Sequence, residues 1–351
     1  MKIFYYCALV FLIISCNQEK TNDFLVIDAQ TNDNTFNLSE IADEIIAIPL
    51  ETNDDCLISF ISRVIMTKDY YFVLSSDLYQ FNKKGKFIRQ IGERGRGPNE
   101  YSRINSIAVD GEEQTIFMAT GQKLLAYNFD GKIKQGIKFK KFVEFMSFTD
   151  EELLIISTEM GIEQENNKFK NVTKLHKVSR RLNVKDSILV KSIDLKKQSG
   201  TFYSGAQYIS NFGKQLYLYY PVLMKESIIR DTLYKIDDEK LLPFLKLNFK
   251  RKKDKHLLFK NIYRSKNFLF SEYNYNRQQY FFCYDFKSNK QMNMKSGFED
   301  DILKTGVAKL IPLDKKSGLM LFIKEAHQVS EIIEGVDEND NPILMLAQLK
   351  E

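Results

Sequence analysis

The residues best placed to do chemistry lie in one glycine-rich segment, Ile91-Gly92-Glu93-Arg94-Gly95-Arg96-Gly97-Pro98-Asn99-Glu100-Tyr101. Gly92, Gly95 and Gly97 free the backbone there. Arg94 and Arg96 put two planar donors on one loop, an arrangement that suits a carboxylate, sulfate or phosphate. Arg94, Arg96 and Tyr101 are therefore the candidate ligand-binding residues. The same stretch also reads as a plain connection, packed down by Pro98 and Tyr101. A dinucleotide site is not implied, because the order G-x-G-x-x-G between a strand and a helix is missing.

Other reactive residue types are present without a chemical pattern. Acidic pairs stand at Asp54-Asp55, Glu112-Glu113, Glu151-Glu152 and Glu299-Asp300-Asp301. Paired acids serve glycoside hydrolysis, but these fall in stretches that read as solvated turns. His176, His256 and His327 are far apart, and H-E-x-x-H, G-x-S-x-G and the P-loop are all missing. Asp337 to Asn341 has the composition of a calcium loop without its spacing. No catalytic residue, metal ligand or cofactor is expected. Tyr203, Tyr208, Tyr217, Tyr219, Tyr273 and Tyr275 either stack on a sugar or peptide or fill the interior. Cys56 and Cys283 sit beside apolar residues and read as buried free thiols, although an exported setting permits a bridge.

Charge narrows the partners. Lys plus Arg number 51 against 46 Asp plus Glu, and the densest basic run, Lys250 to Lys255, reads as a solvated turn. Nucleic-acid binding needs a concentrated basic face, so it is not expected.

The elements that must position these residues are strands. Aromatic content is 13%, and short apolar runs recur between polar turns: Tyr70 to Leu74, Leu153 to Ile156, Leu216 to Tyr220, Tyr280 to Tyr284 and Leu319 to Ile323. Several are continuously apolar, which predicts sheets covered on both faces. Leu78-Tyr79-Gln80-Phe81-Asn82-Lys83-Lys84-Gly85-Lys86 aligns with Leu124-Leu125-Ala126-Tyr127-Asn128-Phe129-Asp130-Gly131-Lys132, sharing Leu, Asn, Gly and Lys. Gly85 and Gly131 suit hairpin positions with positive φ. The offset is near the roughly 40–50-residue period of propeller blades. Ring closure must hide two sheet edges, so Ile45 to Leu50 is expected to pair with Ile343 to Leu349. Pro49 would then lie at a strand end. Ser39 is expected to cap a short helix from Glu40 to Glu44.

The N-terminus carries an export signal. Lys2 precedes the uncharged apolar run Ile3 to Ile14. That run is shorter than the roughly 20 residues of a membrane-spanning helix and has signal-peptide length. Ile13-Ile14-Ser15-Cys16 resembles a bacterial lipobox. The resemblance implies a signal peptide over 1–15, acylation of Cys16 and attachment to membrane lipid. The expected organisation is a tether over 16–38, rich in Asn, Asp, Thr and Gln, and a propeller domain over 39–351. Asn17 rather than Asp follows Cys16, which points to the outer membrane.

Ile91 to Tyr101, then Ile107-Ala108-Val109-Asp110, then Ile116-Phe117-Met118-Ala119, looks like an NHL-type repeat. With Ile48-Pro49-Leu50-Glu51-Thr52, Asp231 to Ile236 and Asn341-Pro342-Ile343-Leu344-Met345, the mature chain resembles the six-bladed β-propeller lipoproteins of Gram-negative bacteria. The resemblance implies an all-β, six-bladed propeller, its blades starting near Ile58, Ile104, Phe142, Tyr208, Ile262 and Ile302. One departure stands out: where the NHL blade continues with Asp and a basic residue, this chain has Thr120-Gly121-Gln122-Lys123. The function expected from the resemblance is a non-catalytic binding or scaffold module at the outer membrane. Its partners would be outer-membrane transport proteins or an extracellular glycan or peptide, in nutrient capture. The alternative is an extracellular propeller enzyme, a glycan hydrolase, lyase or lactonase.

Overall fold

The computed structural model describes residues 24–29, 34–149, 151–200, 208–221, 231–249, 257–314 and 317–350. Six antiparallel sheets follow one another along the chain as the blades of a propeller. Blade 1 comprises Arg63–Met66, Tyr70–Leu74, Leu78–Asn82 and Phe87–Gln90. Blade 2 comprises Ser106–Asp110, Thr115–Thr120, Lys123–Asn128 and Ile133–Lys138. Blade 3 has long strands at Leu153–Gln164, Lys168–Val178 and Val184–Leu195 behind the shorter Phe142–Phe148. Blade 4 comprises Ile209–Phe212, Gln215–Leu218, Thr232–Ile236 and Leu241–Phe249. Blade 5 comprises Leu258–Ser265, Phe268–Tyr275, Gln278–Asp285 and Gln291–Lys295. Blade 6 comprises Ile311–Asp314, Leu319–Lys324, Ile343–Leu349 and, from the far end of the chain, Ala42–Pro49. The first-named strand of each blade faces the axis. The sixth blade starts at Ile311 rather than near Ile302, because Phe298–Asp300 and Gly306–Ala308 pair as a separate ribbon.

The continuous apolar runs are explained by where they are buried. The described residues form six apolar clusters, each spanning two successive blades. Phe72 and Leu78 of blade 1 meet Ile107, Met118 and Tyr127 of blade 2, for example. A strand such as Tyr70–Leu74 therefore sends alternate side chains into two different wedges, Phe72 into one and Tyr71 and Val73 into another. Burying a large apolar side chain contributes roughly 1.5–3 kcal/mol, and here both sheet faces gain it.

Closure follows the expected route. Ala42–Pro49 pairs antiparallel with Ile343–Leu349, and Pro49 is the terminal residue opposite Ile343. The expected helix over Glu40 to Glu44 does not form. A single 3₁₀ turn spans Leu38–Glu40, and the strand begins at Ala42. Ile41, Ala42 and Ile45 are buried in the wedge between blades 5 and 6, and that burial outweighs the local helix signals. Ser39 is not the cap: its hydroxyl donates to Asp301 Oδ2 at 2.6 Å. Leu25–Ala29 lies within the stretch expected to be a tether, yet forms a fifth strand parallel to Leu241–Phe249. Ile27 and Ala29 supply the reason, being buried in the wedge between blades 4 and 5. Asn34 N donates to Asn293 O of blade 5 at 3.2 Å, ahead of the strand that enters blade 6.

The two repeat glycines carry different burdens. Gly85 has φ +79°, and a Cβ there would collide with the carbonyl oxygen of Pro49. Gly131 has φ +80°, with its nearest neighbour, Gln90 O, 3.6 Å from such a Cβ. Gly131→Ala should therefore cost only the left-handed backbone term, about 1–2 kcal/mol. Gly85→Ala should cost clearly more, because it also pushes on the closing strand. Urea denaturation of both variants checks this; equal losses would contradict it.

Candidate functional site

A cavity of about 1080 Å³ runs along the axis, walled by the inner strands of blades 1, 2, 3, 4 and 6. Inner strands are antiparallel to only one neighbour, so their free sides face this space. Arg63 enters it from blade 1. Its Nη1 donates to Ser106 Oγ of blade 2 at 3.3 Å, and its Cζ stands 4.3 Å from the ring centroid of Phe145 in blade 3. One side chain thus bridges three blades. Burial alone pushes its guanidinium down to about 10. Ser106 Oγ also accepts from Met146 N at 2.9 Å, tying the inner strands of blades 2 and 3. Asn211, on blade 4, lines the same cavity, and among the described residues its buried Oδ1 has no hydrogen-bond partner.

Glu144 is set in the wall by a β-bulge. Val143 pairs with Ser157 and Phe145 with Ile156, leaving Glu144 as the extra residue. Its carboxyl accepts hydrogen bonds from Thr158 Oγ1, from Tyr208 at 3.1 Å and from Tyr220 at 2.9 Å. Burial raises its pKa, while those hydroxyls and Lys191 pull it back. At the rim, Arg180 joins Asp110 at 2.6 Å and Glu112 at 3.3 Å, and Lys185 joins Glu152 at 3.0 Å.

The glycine-rich segment is a knot beside the channel. Arg94 Nη2 donates to both carboxylate oxygens of Asp77, at 3.1 and 3.2 Å, and to Ser76 O at 2.8 Å. Tyr101 is fully buried and donates to the same Asp77 at 2.7 Å. Burial and that carboxylate raise the phenol's pKa. Lys123 stands at the corner that departs from the NHL pattern, and donates to Gly97 O at 2.9 Å and Glu100 O at 2.6 Å. Arg94 and Tyr101 thus meet at one internal acid, and Arg96 is exposed. Only the segment's continuation, Arg103 to Asn105, reaches the channel wall.

The remaining sequence candidates are dispersed. His176 is buried between Ser157 Oγ at 2.9 Å and Ser187 Oγ at 2.6 Å. Its pKa is lowered to about 4 by burial and by Lys141 and Lys174. His327 lies in the 3₁₀ turn Ala326–Gln328. Tyr208, Tyr217, Tyr219 and Tyr273 are buried in the wedges on either side of blade 4. Cys56 and Cys283 are free thiols in different wedges. Among the described residues no three His, Cys, Asp or Glu side chains converge as metal ligands. Cys16, His256, Tyr203 and Lys250 to Lys255 lie outside the described residues. Sequence reading missed Arg63 and Glu144. The signal for each was a lone charge inside an apolar strand, Arg63-Val64-Ile65-Met66 and Phe142-Val143-Glu144-Phe145-Met146.

The family model described as "Domain of unknown function (DUF4934)" matches residues 24–348. The chain belongs to the DUF4934 family. Its ring is similar to the crystal structure of a Bacteroides fragilis NCTC 9343 protein that carries the name "Putative exported protein". That match has 19% identity and a TM-score of 0.70, and covers 93% of this chain and 100% of the other. A duf4221 member from Bacteroides vulgatus ATCC 8482 matches at 13% identity and TM-score 0.44, over 88% of this chain and 97% of the other. The WD40 domain of Neurospora crassa Pan2 matches at 9% identity and TM-score 0.43, over 83% and 77%. Among curated proteins none matches. The likeness at TM-score 0.70 supports the propeller fold of this DUF4934 chain. No helix among its described residues is long and apolar enough to cross a membrane.

Glu144 gives the site a pH signature. Its folded pKa is raised, so the fold favours the neutral carboxyl. That stability is present below the unfolded value, about 4.3, and is lost as pH rises through the folded value. Glu144→Gln cannot ionise. Its stability relative to the wild type should therefore grow as pH rises from 4 to 8, measured by urea denaturation at each pH. A constant or shrinking difference would contradict this.

Proposed function

We propose that this DUF4934 protein is an exported lipoprotein with NHL-like blades, held at the outer membrane through acylated Cys16, that binds a ligand in its central channel. The observation that carries this reading is the channel itself. At about 1080 Å³ it has the size of a small-molecule site, and its wall mixes apolar side chains with many polar and charged ones. Arg63, Ser106 and Asn211 come from three different blades, so ring formation brings them together. Likeness to a protein named as exported supports the placement outside the cytoplasm. The work that fits is capture or presentation of a ligand, such as a glycan fragment or peptide, beside a membrane transport protein. The tether would start from the lipid and end at Leu25.

Two variants test this. Cys16→Ala should move the protein from the membrane fraction to the soluble fraction; unchanged retention would remove the anchor. Asn105 lines the channel, and Asn105→Trp should plug it. Native mass spectrometry of protein recovered from its own cell envelope should show a small-molecule adduct on the wild type that is lost in Asn105→Trp. The same adduct on both proteins, or on neither, would contradict the channel as the ligand site.

A further inference from the structure

We infer that Arg63 anchors an anionic group, a carboxylate, phosphate or sulfate, on the ligand that enters the channel. This rests on the channel being the ligand site and adds the chemistry of what it takes. A guanidinium carries five N–H donors in a planar fork. Among the described residues the Arg63 guanidinium makes one hydrogen bond, a long one of 3.3 Å to a neutral hydroxyl. Phe145 supports one face of the guanidinium at 4.3 Å, which leaves donor edges toward the cavity. Among the described residues no carboxylate pairs with it.

Four of the acids lining the same cavity already have partners. Glu144 accepts from Thr158, Tyr208 and Tyr220. Asp110 and Glu112 are held by Arg180, and Glu152 by Lys185. The contrast with blade 5 is informative. There the buried Glu272 takes Lys260 at 3.0 Å and Lys309 at 2.7 Å, so that carboxylate is neutralised by side chains. A cation withdrawn from water without a counter-charge is costly. A Met of similar length would fill the space and pack on Phe145 without that cost. An Arg with open donors on an aromatic platform has the geometry of bidentate oxyanion recognition instead. Its lowered pKa has burial as its sole cause, in keeping with the lack of a neighbouring acid. Asn211 Oδ1, buried and unbonded in the same cavity, offers an acceptor to a hydroxyl or N–H elsewhere on the ligand.

The test uses the full mature chain as wild type, Arg63→Met and Arg63→Lys. Melting is followed against increasing inorganic phosphate, with sodium chloride at equal ionic strength as the reference. The wild type should show a saturable rise in Tm with phosphate beyond chloride. Arg63→Met should keep its fold and lose at least tenfold in apparent phosphate affinity. Arg63→Lys, which keeps the charge and loses the fork, should fall between them. An equal phosphate response in wild type and Arg63→Met, or no response beyond chloride in the wild type, overturns the anchor. Failure here alongside an adduct that Asn105→Trp abolishes would remove the anion assignment alone. Failure of both would remove the channel.

Discussion

Antiparallel pairing of Ala42–Pro49 with Ile343–Leu349 is the constraint on which the rest depends. Each blade is a sheet that buries both faces, and it can do so only if it has a neighbour on either side. In an open array the first and last sheets would each expose a face. Supplying the outer strand of blade 6 from the beginning of the chain locks the two ends together without a covalent link. The latch is reinforced nearby. Asn341 is buried, and its Nδ2 donates to Glu51 O at 2.7 Å and Cys56 O at 2.8 Å, while its Oδ1 accepts from Ile58 N at 2.7 Å. Those bonds join the loop before the last strand to the chain that leads into blade 1. Glu51 N in turn donates to Gly85 O at 2.9 Å.

Closure also makes the channel. Arg63, Ser106 and Phe145 belong to blades 1, 2 and 3 and lie 43 and 82 positions apart from Arg63 by residue number. Their meeting is a consequence of how the inner strands converge on the axis, and the angle between blades is set by the ring being complete. The wedge clusters hold that angle with close-packed aromatic contacts, such as Phe72 with Phe129 at 4.9 Å and Tyr217 with Phe244 at 4.8 Å. A rigid wall of this kind holds a binding group in place at little entropic cost.

Much of the architecture was legible because it is written in local, repeated signals. Aromatic strand runs, the matched Gly85 and Gly131 hairpins and the terminal position of Pro49 each follow from backbone and burial rules acting over a few residues. The misreadings share one cause. Ser39 and the acids after it are good helix signals, but the wedge buries Ile41, Ala42 and Ile45 and the chain extends. Leu25–Ala29 looked like part of a polar tether because two buried positions, Ile27 and Ala29, are all that mark it as a strand. The channel was the least legible part. Nothing in a linear sequence says which strand of a blade faces the axis, so Arg63 and Glu144 read as ordinary interruptions of apolar runs. The glycine-rich segment drew attention because it needs unusual backbone freedom. Its arginine, however, meets Asp77, which no spacing rule would have paired with it.

Native-state hydrogen exchange across the ring tests closure most directly. If the closing strand locks the ring, amides of Ile46 and Ile48 should exchange with the same opening free energy as those of Leu344, Leu346, Ile155 and Leu175, all in one cooperative event. Exchange of residues 42–49 through a separate, lower-energy opening, with the other blades and their wedges still fully protected, would contradict the account.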